Sequence, residues 1–201
     1  MSAPLPPLPG ASSPPTPLRA TQRPATQLRV ATIEDAAAIA AIYAVHVLHG
    51  TATFELTPPA VDEMAARMRA IDADGHPWIV AERDASIVGY AYAAPYRARP
   101  AYRYTCEDSI YVAPDALGQG IGWRLLDALI EASARRGDRQ MIAVIGDARN
   151  LASVNVHRAA GFMPIGTLTN VGRKFGRWLD VVMMQRALGD GAGTPPEEGA
   201  E

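Results

Sequence analysis

Glycines alternate at Gly118, Gly120 and Gly122, and a helix with an apolar stripe begins at once behind them. This stretch, DALGQGIGWRLLDALI over residues 115–130, constrains the fold more than any other in the chain. Upstream, residues 103–114 (RYTCEDSIYVAP) read as a strand that stops at Pro114. Strand, proline stop, glycine loop and helix, in that order, aim several unpaired amides and a helix N-terminus at one spot. A pyrophosphate would be stabilised there. The plainer alternative is a flexible turn into a helix. Two nucleotide-binding patterns are excluded. Trp123 stands where a dinucleotide fingerprint needs its third glycine, and the Gly-Lys-Ser/Thr ending of a phosphate loop is absent.

The surrounding pattern sets this unit in a mixed sheet. Residues 28–31 open as a short strand, and Thr32 with Asp35 forms a capping-box-like helix start. Ile39, Ile42 and Tyr43 mark the face of that helix, and a second helix covers about residues 59–70. Residues 77–82 and 86–96 form a hairpin through Asp84 and Ala85. The helix behind the glycine loop runs to about Arg136. Residues 140–145 (QMIAVI) are a short, almost wholly apolar run, as expected of a central buried strand. A helix over 150–160 ends at Gly161, and strands near 162–168 and 178–185 finish the domain. The order is strand, two helices, three strands, helix, strand, helix, two strands. That is an α/β domain with a mixed sheet, without the regular alternation of a doubly wound nucleotide fold.

Composition narrows the class. A chain of 201 residues that is 48% apolar buries one core without disulfides. The single cysteine, Cys106, excludes an intramolecular disulfide and a cysteine metal cluster. The four histidines form no HxxxH pair, so no metal site is expected. A formal charge of −2 argues against a nucleic-acid binder, and no apolar run approaches a membrane span, so the cytoplasm is the expected compartment. Residues 1–27, rich in proline, serine and threonine, read as a disordered arm that lacks the pattern of a signal peptide. Residues 189–201 read as a disordered tail, which leaves 28–188 as the folded domain.

Two segments carry a resemblance. Residues 117–122 (LGQGIG) resemble the Q/R-x-x-G-x-G/A loop of the GNAT superfamily of N-acetyltransferases, with Gly120 and Gly122 matching and Leu117 replacing the polar first residue. Residues 150–162 (NLASVNVHRAAGF) resemble the superfamily's fourth helix, with Asn150, Ser153, His157, Gly161 and Phe162 at the motif positions. YRARPAYRYTCEDSIYV, PWIVAE and VGRKFGRWLDV are similar to stretches of phosphinothricin N-acetyltransferases and of relatives acting on methionine sulfoximine. The resemblance implies a single GNAT-like domain. Its sheet is mostly antiparallel, flanked by helices, and splayed between the fourth and fifth strands.

It also implies acetyl-CoA as co-substrate and direct transfer to the amine of a small amino-acid-like molecule. The pyrophosphate would lie on Gly118, Gln119, Gly120, Ile121, Gly122 and Trp123, with Asn150 close by. The pantetheine arm would pair with Ile110, Tyr111 and Val112, one of whose amides would donate to the oxyanion. Glu107, mid-strand where an isolated carboxylate is costly, is the expected general base, and Asp108 should point to the opposite face. His157 would protonate the leaving thiolate or hold the thioester. Arg97 and Arg99 read either as two solvated arginines or, by the resemblance, as partners of the substrate carboxylate. Phe54 is expected as an apolar wall, and Cys106 is not expected to be a nucleophile. Phe175 and Trp178 among basic residues, together with the resemblance, point to a homodimer. Two rivals stand: an acetyltransferase for another small amine or a protein N-terminus, and an acyl-CoA-binding sensor without catalysis. Leu117 favours the sensor and Glu107 disfavours it.

Overall fold

The computed structural model describes residues 25–195. Most of the expected arm and the last part of the expected tail lie outside the described residues. The first elements are β1 (Gln27–Val30), α1 (Ala36–His49), α2 (Val61–Ala73), β2 (Trp78–Arg83), β3 (Ser86–Pro95) and β4 (Thr105–Val112). They are followed by α3 (Ile121–Arg136), β5 (Gln140–Gly146), α4 (Leu151–Ala159), β6 (Met163–Lys174) and β7 (Arg177–Ala187). Every expected element is present, in the expected order.

The boundaries differ in ways the backbone explains. A 3-10 turn, Ile33–Asp35, separates Thr32 from α1. The Asp35 carboxylate accepts from the Thr32 amide at 2.8 Å and from two Arg29 nitrogens, which fixes this entry. The helix expected over 59–70 starts later and runs further. The last two strands are longer than expected because Phe175 and Gly176, at φ 49° and 76°, make a two-residue turn that continues the pairing of both strands. The β2–β3 hairpin turns likewise on Asp84 and Ala85, at φ 51° and 58°.

The strands form one sheet in the order β1-β2-β3-β4-β5-β7-β6. All neighbours pair antiparallel except β4 and β5, which are parallel and joined through α3 as the crossover. On one face α3 presents Ile121, Leu125, Leu126, Leu129 and Ile130 to Met141, Phe162 and Met184. On the other, α1 and α2 place Ile39, Tyr43, Val47, Met64 and Met68 against Trp78, Val80, Tyr90 and Tyr111. Strand β4 divides its side chains between these cores, with Cys106 and Val112 on the α3 side and Tyr111 on the α1 side.

The pairing of β4 with β5 stops at Asp108 and Ala143, and the strands part beyond it. Here β5 departs from the expected buried strand. Val144 is 38% exposed because it faces the gap where a neighbour would otherwise cover it. The sheet is thus mixed, mostly antiparallel, and open at its middle.

Candidate active site

The gap between β4 and β5 widens into a cleft of about 340 Å³. Its floor is the diverging backbone, Ser109–Val112 on one side and Val144–Gly146 on the other, and its rim is the glycine loop and the first turn of α3. Gly118 and Gly120 hold φ at 69° and 77°, a left-handed conformation that side chains with a Cβ resist. An added Cβ at either would meet nothing within 4 Å, so the path to this backbone is clear. The amides at the start of α3 have no partner within the helix, and with the helix dipole they favour an anion.

Of the expected coenzyme residues, Ile110, Tyr111, Val112, Gly118, Gly120, Ile121, Gly122, Trp123 and Asn150 line this cleft. The Gln119 side chain does not. It turns away, accepting from Arg83 Nη1 at 2.7 Å and donating to the Asp115 carbonyl at 2.9 Å, which braces the loop from behind. Leu117 lines the cleft and is 58% exposed, so no side chain from that position reaches the anion with a hydrogen bond. Asn150 caps α4, its side chain accepting from the Ser153 amide.

His157 is buried at the inner end of the cleft. Its Nδ1 donates to the Ser153 carbonyl at 2.8 Å, and its Nε2 lies 2.9 Å from Asp108 Oδ2. Burial alone would lower the imidazole pKa. The hydrogen bond and charge of Asp108, with the Ser153 carbonyl, outweigh burial and raise it.

Further cleft residues were not expected from sequence, three of them with a side chain that bears on the site. Asp108 and Val144 line it, as does His46 of α1, whose Nε2 donates to the Val112 carbonyl at 2.9 Å. Burial lowers the pKa of that imidazole, and the hydrogen bond to the Val112 carbonyl partly opposes it. The alternation of β4 carries a signal for Asp108, whereas nothing local marks His46.

Glu107 lies outside the cleft, on the α1 side of the sheet. It faces Ala94 across the β3–β4 pair, two residues from Tyr92. Burial raises its carboxyl pKa, the neighbouring Asp108 adds to this, and Arg97 opposes it. Arg97 therefore acts on Glu107, while its guanidinium sits 4.4 Å over the Tyr96 ring. Arg99 is exposed at the start of the 3-10 turn Pro100–Tyr102. Phe54 follows α1, and its ring packs on Gly172 of β6, where any Cβ would collide with it, and against Gly146 of β5, where a Cβ would touch the ring closely and collide with the Thr51 carbonyl. Lys174 fastens the same loop, donating to the Thr53 carbonyl at 2.9 Å. Neither Phe54 nor the two arginines border the cleft. Cys106 is fully buried, and burial holds its thiol neutral. Among the described residues no group of His, Cys, Asp or Glu is placed to hold a metal ion, and no helix is long and apolar enough to cross a membrane.

A parallel strand pair that parts around a cleft, with a glycine loop and helix N-terminus at its rim, suits an extended ligand that carries an anionic group, and the sequence resemblance implies that this ligand is acetyl-CoA. Comparison with known proteins narrows the class. Residues 41–162 match the acetyltransferase (GNAT) family. The phosphinothricin N-acetyltransferase of Alcaligenes faecalis is 49% identical over 197 residues, covering 94% of this chain and all of that protein. The L-methionine sulfoximine/L-methionine sulfone acetyltransferase of Salmonella typhimurium is 38% identical, over 82% of this chain and 96% of that protein. The crystal structure of a phosphinothricin acetyltransferase from Sinorhizobium meliloti, in complex with AcCoA, superposes with a TM-score of 0.85 at 47% identity. The match covers 87% of this chain and 94% of that one. The chain belongs to the GNAT acetyltransferase family and is an acetyl-CoA-dependent N-acetyltransferase.

Proposed function

We propose that this enzyme acetylates the amino group of a small, anionic amino acid of the phosphinothricin or methionine sulfoximine class, with Glu107 as general base. The observation that carries the reading is the position of Glu107. It is a half-buried carboxylate one residue from the end of the β4–β5 pairing, on the sheet face opposite the coenzyme cleft. Its raised pKa brings it nearer to neutrality, which suits a base that must accept a proton from an ammonium. An amine arriving from the α1 side meets Glu107 first. A thioester lying in the cleft presents its carbonyl at the same gap, so the two substrates approach through the sheet from opposite faces. Holding both in line is itself a large part of the rate.

In this reading the pyrophosphate rests on the backbone of residues 118–123, Gln119 contributing its amide while its side chain braces the loop. Ile110, Tyr111 and Val112 pair with the pantetheine arm, and Asn150 orients the coenzyme from the cap of α4. Polarisation of the thioester carbonyl by a β4 amide, and protonation of the sulfur from the His157 side, complete the chemistry. Arg97 and Arg99 recognise the substrate carboxylate, Arg97 the more directly because it already acts on Glu107. Phe54 shapes the acceptor side through the loop it anchors.

The enzyme works as a cytoplasmic homodimer in this reading. Supporting the dimer, β6 is an edge strand that exposes Met163, Ile165, Leu168 and Val171, next to exposed Phe175 and Trp178. An uncovered edge of this kind is a template for a partner strand. Light scattering at micromolar concentration should give twice the chain mass, and a monomer would remove the dimer from the account.

The direct test of the activity is thiol release from acetyl-CoA with a panel of amines. Phosphinothricin, methionine sulfoximine and methionine sulfone should turn over well above simple alkylamines and peptide N-termini. A preference for peptides would favour N-terminal acetylation, and no release with any amine would favour the sensor.

A further inference from the structure

Asp108 is the last residue of β4 that pairs with β5. Its side chain is 2% exposed and that of His157 is 5% exposed. The hydrogen bonds of the pair fix its protons. His157 Nδ1 faces the Ser153 carbonyl, which only accepts, so Nδ1 carries a proton. His157 Nε2 faces Asp108 Oδ2 at 2.9 Å, and without a second proton between them two lone pairs would oppose each other. The pair thus carries one proton more than a neutral imidazole beside a carboxylate, and it is neutral overall. That form is the least costly to bury. The other carboxylate oxygen, Asp108 Oδ1, is buried with no hydrogen-bond partner among the described residues, and both side chains border the coenzyme cleft. A buried oxygen without a partner, beside a cleft built for a ligand, marks a position that the ligand completes.

We propose that Asp108 and His157 act as one unit that delivers the proton to the sulfur leaving in acetyl transfer. This rests on the reading of the cleft and of Glu107 given above. Neighbours on a strand point to opposite faces. Glu107 and Asp108 therefore serve the two substrates from either side of the point where the strands part. Glu107 takes the amine proton as the C–N bond forms. The C–S bond breaks with its electron pair on sulfur, and sulfur takes the proton held between Nε2 and Oδ2. The ammonium has already passed its first proton through Glu107 to solvent before attack; Glu107 then gives up this second one and the pair regains one, so of the two protons that leave the ammonium one ends on the thiol and one in solvent. The ionisable groups that feel the Asp108 charge are Cys106 and Glu107 on β4 and His157 on α4. Among the described residues no charge other than that of Asp108 acts on His157.

The test is Asp108→Asn, which keeps the shape and removes the charge. Turnover should fall about 10²-fold or more, as for loss of a positioned general acid. Turnover is read with acetyl-CoA saturating, so that any change in coenzyme affinity caused by altering a residue at the cleft border does not enter the comparison. Both limbs of the kcat–pH profile should move to lower pH. The alkaline limb moves because His157 loses the partner that raised its pKa, and the acid limb because Glu107 loses a neighbouring negative charge. His157→Gln should cost as much as Asp108→Asn, and the double variant no more than either, because the two form one unit. Unchanged turnover in a folded Asp108→Asn protein, an unmoved alkaline limb, or multiplied losses in the double variant would each overturn the proposal. Should Asp108→Asn not fold, nitrogen NMR of the wild type decides. A protonated Nε2 in the neutral pair at pH 7 supports the proposal, and a bare Nε2 contradicts it. Wild-type activity on the amine panel is read first, so failure of the pair is distinct from failure of the acetyltransferase reading.

Discussion

On one face of β4 the coenzyme cleft is assembled from backbone: the parted strands, the glycine loop and the first turn of α3. On the other face the acceptor side, as proposed above, would be assembled from side chains drawn from separate segments. Glu107 comes from β4, Arg97 and Arg99 from the loop before it, and Phe54 from the loop after α1. The two differ in how they tolerate change. A site built from amides accepts Leu117 in place of a polar residue, since the amides at the start of α3 remain free to bind. A site built from side chains changes specificity with each one replaced. Coenzyme use should therefore hold across sequence changes that alter the choice of amine.

Breaking the cleft should give the larger effect. Gly120→Val forces a β-branched residue into φ 77°. That strain, about 1–3 kcal/mol, is relieved only by moving the amides. The KM for acetyl-CoA should rise by roughly ten- to a hundredfold, with the acceptor KM little changed. Steady-state kinetics with each substrate varied in turn checks this, and equal rises in both constants would erase the distinction between the two faces.

On the acceptor face, Arg97→Ala should lower kcat/KM for amino acids by about tenfold, the worth of one charge-assisted hydrogen bond. It should barely affect the corresponding decarboxylated amines. Arg99→Ala should follow the same pattern more weakly. Arg97→Ala carries a second signature. Arg97 lowers the Glu107 pKa, so its loss raises that pKa, and activity should disappear at a higher pH as the solution is acidified. Equal losses on both kinds of amine would mean that the arginines hold the loop and do not read the carboxylate.

The smallest expected effect sharpens the role of Phe54. Gly172→Ala puts a methyl group where the Phe54 ring now lies. Displacing that ring should destabilise the protein by about 1–3 kcal/mol and raise the acceptor KM a few-fold, with coenzyme affinity intact. Thermal melts and acceptor titrations measure both.

How much of this was legible in the sequence follows the same division. The glycine loop and the Asn150–His157 helix are local patterns, and every cleft-lining residue expected from them lies in the cleft except the Gln119 side chain. Gln119 escaped because its partner, Arg83, sits on another strand. The Asp108–His157 pair joins residues 49 positions apart, so alternation gave the face of Asp108 but not its partner. The seat of Phe54 depends on two glycines, at 146 and 172, that adjoin it only in the folded sheet. Val144 looked like core because a central strand is normally covered on both edges, and the parting of the strands removes that cover. Local sequence patterns encode backbone conformation directly. Contacts between distant side chains emerge only from the packing of the whole sheet.

The most direct test of the account is the turnover of Glu107→Gln with both substrates saturating, alongside calorimetric titration with acetyl-CoA. The account predicts a loss of roughly 10²-fold or more in kcat, an unchanged acetyl-CoA dissociation constant, and loss of the acid limb of the pH profile. Near wild-type turnover across the pH range would contradict it, because the amine proton would then leave by a route that does not involve this face of β4.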